Sequence, residues 1–219
     1  TNTISKLLDD GYGVIGILRN RSSFIGERHP NLTLIEGDFT DNDFISKHIG
    51  NCDHVVHIAA MTGQTGKKEE YYRVNTEATI RLAEAAADAG IKRMIYVCTA
   101  NAFAYGTYDD PGNEDKPTKW PFTESDYAMS KALAQKELQK LTGRIEIITV
   151  NPTFMLGPMD IKPSSGRIIT MGYGRRVMAA PPGGKNFVHV GDVSKGISAA
   201  LKKGRNGEAY LLSGENMDY

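Results

Sequence analysis

The chain has 219 residues, with 26 basic and 26 acidic side chains, zero formal net charge, and 40% hydrophobic against 24% charged residues. That length can bury a sizeable core in one large domain or two small ones, and the composition argues against disorder as the overall state. Balanced charge removes the electrostatic case for a nucleic-acid or anionic-membrane partner. No apolar run approaches the roughly 20 residues that span a bilayer, and no signal peptide opens the chain. Cys52 and Cys98 are the two cysteines; both lie in apolar surroundings and read as buried free thiols of a reducing compartment. The expectation is a soluble, cytoplasmic protein. Five histidines at 29, 48, 54, 57 and 189 show no metal-ligand spacing, so no metal site is expected.

In chain order, Ile4, Leu7 and Leu8 form a helical stripe that stops at Gly11, where a left-handed cap is easiest for glycine. Gly13–Leu18, Leu32–Ile35, Val55–Ala60, Met94–Cys98 and Ile145–Val150 are short apolar runs of the kind that suits strands buried on both faces. Helical patterns lie between them. One spans Asp41–Ile49, opened by an aspartate that can cap, and Glu77–Ala89 is alanine-rich and closed by Gly90. A third covers Tyr127–Leu141, closed by Gly143, and Asp109–Pro121 reads as a polar surface loop. This alternation predicts βαβ units around a parallel sheet.

From Asn151 to Gly184 the texture changes, with five of the nine prolines and a helical stretch near Arg167–Met171. Asp192 is placed to cap a helix through about Lys203, and Ala209–Leu212 is expected as a last short strand. The division expected is 1–150 as a dinucleotide-binding domain and 151–219 as part of a smaller substrate lobe returning to the sheet. Residue 1 already lies in a helix that would follow a strand and a glycine-rich turn. The expectation is therefore that a first strand and that turn precede Thr1 and that a tail follows Tyr219.

Tyr127 and Lys131 stand at i and i+4 on a helix and share a face. An adjacent cation stabilises phenolate, so Lys131 is expected to lower the tyrosine pKa, whereas burial alone would raise it. Thr99 ends the strand Tyr96–Thr99 and would donate a hydrogen bond beside the phenol, because the carboxyl ends of parallel strands face the ligand crevice. Asp38-Phe39, Ala59-Ala60 and Asn151-Pro152 fall at equivalent strand ends.

These residues, with Gly37-Asp-Phe-Thr-Asp41, Val56-His-Ile-Ala-Ala60, Val74-Asn75, Asn151-Pro-Thr-Phe-Met-Leu-Gly-Pro158 and Phe187-Val-His-Val-Gly-Asp192, make the chain resemble an extended short-chain dehydrogenase/reductase. This is the NAD-dependent epimerase/dehydratase family, and the segment 151–166 is similar to its dihydroflavonol-reductase-like and sugar-epimerase-like branches. The resemblance implies a Rossmann-type doubly wound α/β fold. Tyr127 would be the acid/base, Thr99 would steady the substrate oxygen, and Lys131 would bind the ribose. Asp38 would hold the adenine with Phe39 beside the ring, Ala59 and Ala60 would pass their backbone close to the cofactor, and Pro152 would lie near the nicotinamide. His57 reads as structural.

The activity implied is hydride transfer to or from a carbinol or carbonyl carbon of a small molecule. A nucleotide-sugar epimerase is the alternative, and a non-catalytic dinucleotide sensor or scaffold the alternative of another class. Thr99 is followed by Ala100 and Asn101 rather than the Asp-Glu of sugar dehydratases, which argues against dehydration. No acid follows Leu18 to accept from a ribose 2′-hydroxyl, and Arg19 can bind a 2′-phosphate, so NADP is expected over NAD. Without the glycine-rich turn, residues 1–219 alone should bind dinucleotide poorly. No membrane or nucleic-acid partner is expected, the resemblance allows a homodimer, and Arg175 and Arg176 read as a solvated pair.

Overall fold

The computed structural model describes residues 1–63, 66–161, 165–177 and 182–219. Pro163 and Pro181, counted in the proline-rich stretch, lie outside the described residues. The chain opens with α1 (Asn2–Asp9), which ends where Gly11 takes a φ of 86°. Then follow β1 (Val14–Leu18), β2 (Leu32–Glu36), α2 (Asn42–Ile49) and β3 (His54–His57). A continuous helical segment comes next, built of α3 (Lys68–Tyr71), a π-helical stretch Tyr72–Glu77, and α4 (Ala78–Asp88). β4 (Arg93–Val97), α5 (Asp126–Leu138), β5 (Glu146–Pro152), β6 (Phe154–Leu156) and α6 (Arg167–Gly172) follow. The chain closes with β7 (Gly184–His189), α7 (Val190–Lys203), β8 (Ala209–Leu212) and β9 (Glu215–Asp218).

The central sheet has the order β3-β4-β5-β8, every pair parallel. β1 and β2 form a parallel pair of their own, and β6-β7-β9 a small mixed sheet in which β9 runs antiparallel to β7. The alternation of side chains along β4 separates two cores. Met94, Tyr96 and Cys98 meet α2, α4 and α5 through Ile45, Ile49, Leu82, Ala83, Ala134 and Leu138. Ile95 and Val97 meet α1 and α7 through Leu7, Val193, Ile197 and Leu201. The result is a parallel sheet covered by helices on both faces, a Rossmann-type α/β architecture.

Several boundaries differ from the sequence reading. The alanine-rich helix starts far upstream of Glu77, because the π-helical turn joins it to α3. Asp41 does cap α2, accepting from the backbone N–H of Asp43 and Phe44 at 3.0 and 3.1 Å. Asp192 does not cap α7. His189 does, its Nδ1 accepting from Gly191 N–H at 3.1 Å, so the helix begins three residues earlier. Ala209–Leu212 is not the last strand, since β9 follows. β1 is only half-buried and Ile17 is exposed, so this strand is not covered on both faces. Cys98 is buried as expected, whereas Cys52 is only half-buried.

His57 sits in the first core as the sequence predicted. Its Nε2 shares a 2.9 Å hydrogen bond with Thr79 Oγ1, and burial, then the nearby Lys131 charge, lower its pKa from 6.5 to about 3. A group kept neutral in the fold penalises the folded state once the unfolded chain can take the proton. Stability should therefore fall as pH drops from 6.5 towards about 3, by about 1.4 kcal/mol per pH unit from this residue. His57→Gln should flatten that slope by one proton in urea denaturation across the window; an unchanged slope would contradict a neutral buried imidazole.

Candidate active site

The carboxyl ends of β2, β3, β4 and β5 deliver Asp38, Ala59, Thr99 and Pro152 to the same edge of the fold, the edge where open parallel sheets bind ligands. Thr99 follows β4 and opens a 3-10 turn, Ala100–Ala102. Its Oγ1 accepts from Asn101 N–H at 3.3 Å, which leaves the hydroxyl proton available to a substrate oxygen. Tyr127 lies in the first turn of α5, where Ser125 caps by accepting from Ala128 N–H. Thr99 and Tyr127 are neighbours, close enough for the threonine hydroxyl to act on the phenol.

Lys131 lies one turn further along α5 and is 1% exposed. Its Nζ donates to the Val97 carbonyl at 2.8 Å and sits 4.2 Å from the Tyr96 ring centroid. The expected effect of Lys131 on the phenol is not what the structure shows. Burial, with the Cys98 thiol adding to it, pushes Tyr127 up to about 12, and the Thr99 hydroxyl only partly opposes this. The spacing put the two side chains on one face, but the ammonium is turned into β4, so desolvation dominates. Lys131 itself is lowered to about 8, by burial first.

Two buried asparagines hold these elements together, and the sequence reading noted them only as parts of motifs. Asn75, from the π-helical turn, is 0% exposed. Its Oδ1 accepts from Met61 N–H at 2.7 Å, and its Nδ2 donates to Met61 O at 3.0 Å and to Ser130 Oγ at 3.1 Å. Ser130 Oγ donates in turn to the Tyr127 carbonyl at 3.0 Å, and Thr76 Oγ1 donates to Ser130 O at 2.7 Å. The loop after β3, which carries Ala59 and Ala60, is thereby fixed to the turn of α5 between Tyr127 and Lys131. π-Bulges recur at functional sites, and this one carries the buried Asn75 and Thr76. Asn151 does the same on the other side, its Nδ2 donating to Thr99 O at 3.0 Å and to Gln135 Oε1 at 2.9 Å.

Asp38 is exposed after β2. Its carboxylate accepts from Thr40 N–H at 2.8 Å, and this bond, with Arg19 and Arg73 adding smaller attractions, holds it below the usual range. Arg19 is exposed just after β1 and within electrostatic reach of Asp38. Phe39 is half-buried next to Asp38: its ring lies 4.9 Å from the His57 ring and packs on the first core. Pro152 is buried at the end of β5. Among the described residues no cluster of His, Cys, Asp or Glu has a metal-binding arrangement, and no helix is long and apolar enough to cross a membrane.

Residues 1–213 match the NAD dependent epimerase/dehydratase family. A putative dihydroflavonol 4-reductase of Synechocystis sp. is 30% identical over 99% of this chain and 65% of its own length. The crystal structure of gox2253 superimposes with a TM-score of 0.85 at 29% identity, covering 99% of this chain and 67% of that one. The Thermus thermophilus UDP-glucose 4-epimerase in complex with NAD gives a TM-score of 0.81 at 19% identity over 99% of this chain and 75% of that one, a likeness of fold alone. The chain spans about two thirds of the length of the curated relatives it matches.

The clamp can be measured. Asn75→Ala leaves the Met61 N–H and C=O without their buried partner, a loss of about 2–4 kcal/mol in chemical denaturation. A loss below about 1 kcal/mol would show that the clamp contributes no more than an ordinary surface bond.

Proposed function

The chain belongs to the NAD dependent epimerase/dehydratase family, and on that premise we propose that the protein is an NAD(P)-dependent oxidoreductase acting on a carbinol or carbonyl carbon of a small molecule. The observation that carries this reading is the pair of neighbouring hydroxyls, Thr99 and Tyr127, at the carboxyl edge of the sheet with the Lys131 ammonium behind them. A non-catalytic sensor would use the ammonium for binding but would need no phenol and hydroxyl placed together at that edge.

The residues present fit a nicotinamide dinucleotide. An ammonium has three protons, and the Val97 carbonyl is the single acceptor found for Lys131 Nζ among the described residues. A buried donor left without an acceptor calls for one, and ribose hydroxyls supply it. When bound, the nicotinamide supplies the hydride chemistry. Lys131 would hold its ribose, Ala59 and Ala60 would let it approach the backbone after β3, and Asp38 would meet the adenosine end. Thr99 donates to the substrate oxygen, and Tyr127 gives that oxygen its proton or takes it away. A phenol raised to about 12 in the free protein is in its acid form at neutral pH, suited to protonating a carbonyl oxygen during reduction.

We further propose NADP as the preferred form. Arg19 stands exposed at the end of β1, where a charge-assisted bond to a 2′-phosphate is open to it. Arg19→Ala should weaken NADPH by roughly 10- to 150-fold while leaving NADH nearly unchanged; equal weakening of both would return Arg19 to a structural part. Tyr127→Phe should keep fold and cofactor affinity and reduce turnover of a reducible ketone by about 10² or more, read from nicotinamide absorbance. Near-normal turnover in that variant would contradict the assignment of Tyr127 as the acid/base.

A further inference from the structure

Lys131 poses an electrostatic problem that its neighbours do not solve by pairing. A buried ammonium is ordinarily matched by a carboxylate, yet none of the ion pairs among the described residues includes Lys131. The titratable groups that face it are neutral at pH 7. His57 from β3 is lowered to about 3, Cys98 from β4 is raised by burial to about 11, and Tyr127 on its own helix is raised to about 12. What meets the charge is the Val97 carbonyl and the face of an aromatic ring.

That ring belongs to Tyr96, which is 0% exposed and grips Lys131 at both ends. The ring centroid lies 4.2 Å from Nζ, and the phenolic hydroxyl donates to the Lys131 backbone carbonyl at 3.2 Å. Cys98, two residues along the same face of β4, reaches the same carbonyl with its Sγ at 3.5 Å. The ring is itself braced by stacking on His57, with centroids 6.0 Å apart and planes 19° from parallel. A cation over a desolvated aromatic face gains the most where water is excluded, which is the situation here.

We propose that Tyr96 is a positioning residue for Lys131, its ring standing in for the absent carboxylate and its hydroxyl latching the backbone of the same lysine. The proposal rests on the functional reading above only for its consequence, retention of the cofactor ribose.

The test separates ring electrostatics from packing. Phenylalanine and a fluorinated series up to trifluorophenylalanine are placed at position 96, keeping the ring's shape while draining its negative face. The titration of Lys131 is followed by NMR of ¹³C-labelled lysine in cofactor-free protein, assigned with Lys131→Arg. Tyr96→Phe should leave the Lys131 midpoint close to its starting value of about 8. Fluorination should lower it stepwise, by about one pH unit at the end of the series, because the charged form loses its partner. A midpoint indifferent to fluorination overturns the proposal, since a ring that only fills space would give that result. In a second arm, the alkaline limb of the pH profile for NADPH binding should move with the midpoint. If the unaltered protein binds neither NADPH nor NADH, the functional reading falls, and the titration alone judges Tyr96.

Discussion

The constraint around which this site is built is a positive charge held out of water with no negative charge to meet it among the described residues. Lys131 is 1% exposed, and its ammonium rests on a backbone carbonyl at 2.8 Å. Everything nearby is consistent with keeping that arrangement tolerable. His57 stays neutral, Cys98 and Tyr127 keep their protons, and Tyr96 offers a ring where a carboxylate would otherwise be needed. The same desolvation that raises the phenol makes any charge arriving at this edge count for more than it would in water.

The fold serves the site through alternation and clamping. Strand β4 sends Tyr96 and Cys98 to one core and Val97 to the other, so its carbonyls and side chains meet Lys131 from a rigid, doubly covered element. Asn75 and Asn151 then tie neighbouring strand ends to α5, at Ser130 and Gln135. Thr99, the loop after β3 and the Tyr127 turn are thus fixed relative to one another by buried, multiply bonded amides. Such precision is what hydride and proton transfer demand of their surroundings.

Much of this architecture was legible in the sequence, because it depends on local rules. The apolar runs became the parallel strands, Gly11 ended α1 with a positive φ, and Asp41 capped α2, each as residue chemistry dictates. The π-helical turn was not legible, since an extra residue in a helix leaves no mark on the mixed polar stretch Tyr72-Arg-Val-Asn-Thr-Glu77. His189 displaced Asp192 as the cap of α7 because an imidazole nitrogen accepts as well as a carboxylate does, and tertiary pairing of β7 with β6 decided where the helix began. The helical spacing of Tyr127 and Lys131 correctly gave a shared region but not the direction of the ammonium. At the phenol burial prevails, so its pKa is raised rather than lowered.

The central claim is that the lone ammonium of Lys131 is kept in order to hold a nicotinamide dinucleotide. It is tested most directly by titrating NADPH and NADH into the intact protein and its Lys131→Met variant, following nicotinamide fluorescence alongside thermal stability. The account predicts saturable binding that Lys131→Met weakens by about 10-fold or more, in a fold of similar stability, because losing the ring and carbonyl contacts is offset by removing the desolvation cost of a buried ammonium. Equal affinity in the two proteins, or no saturable binding by the intact one, would contradict it.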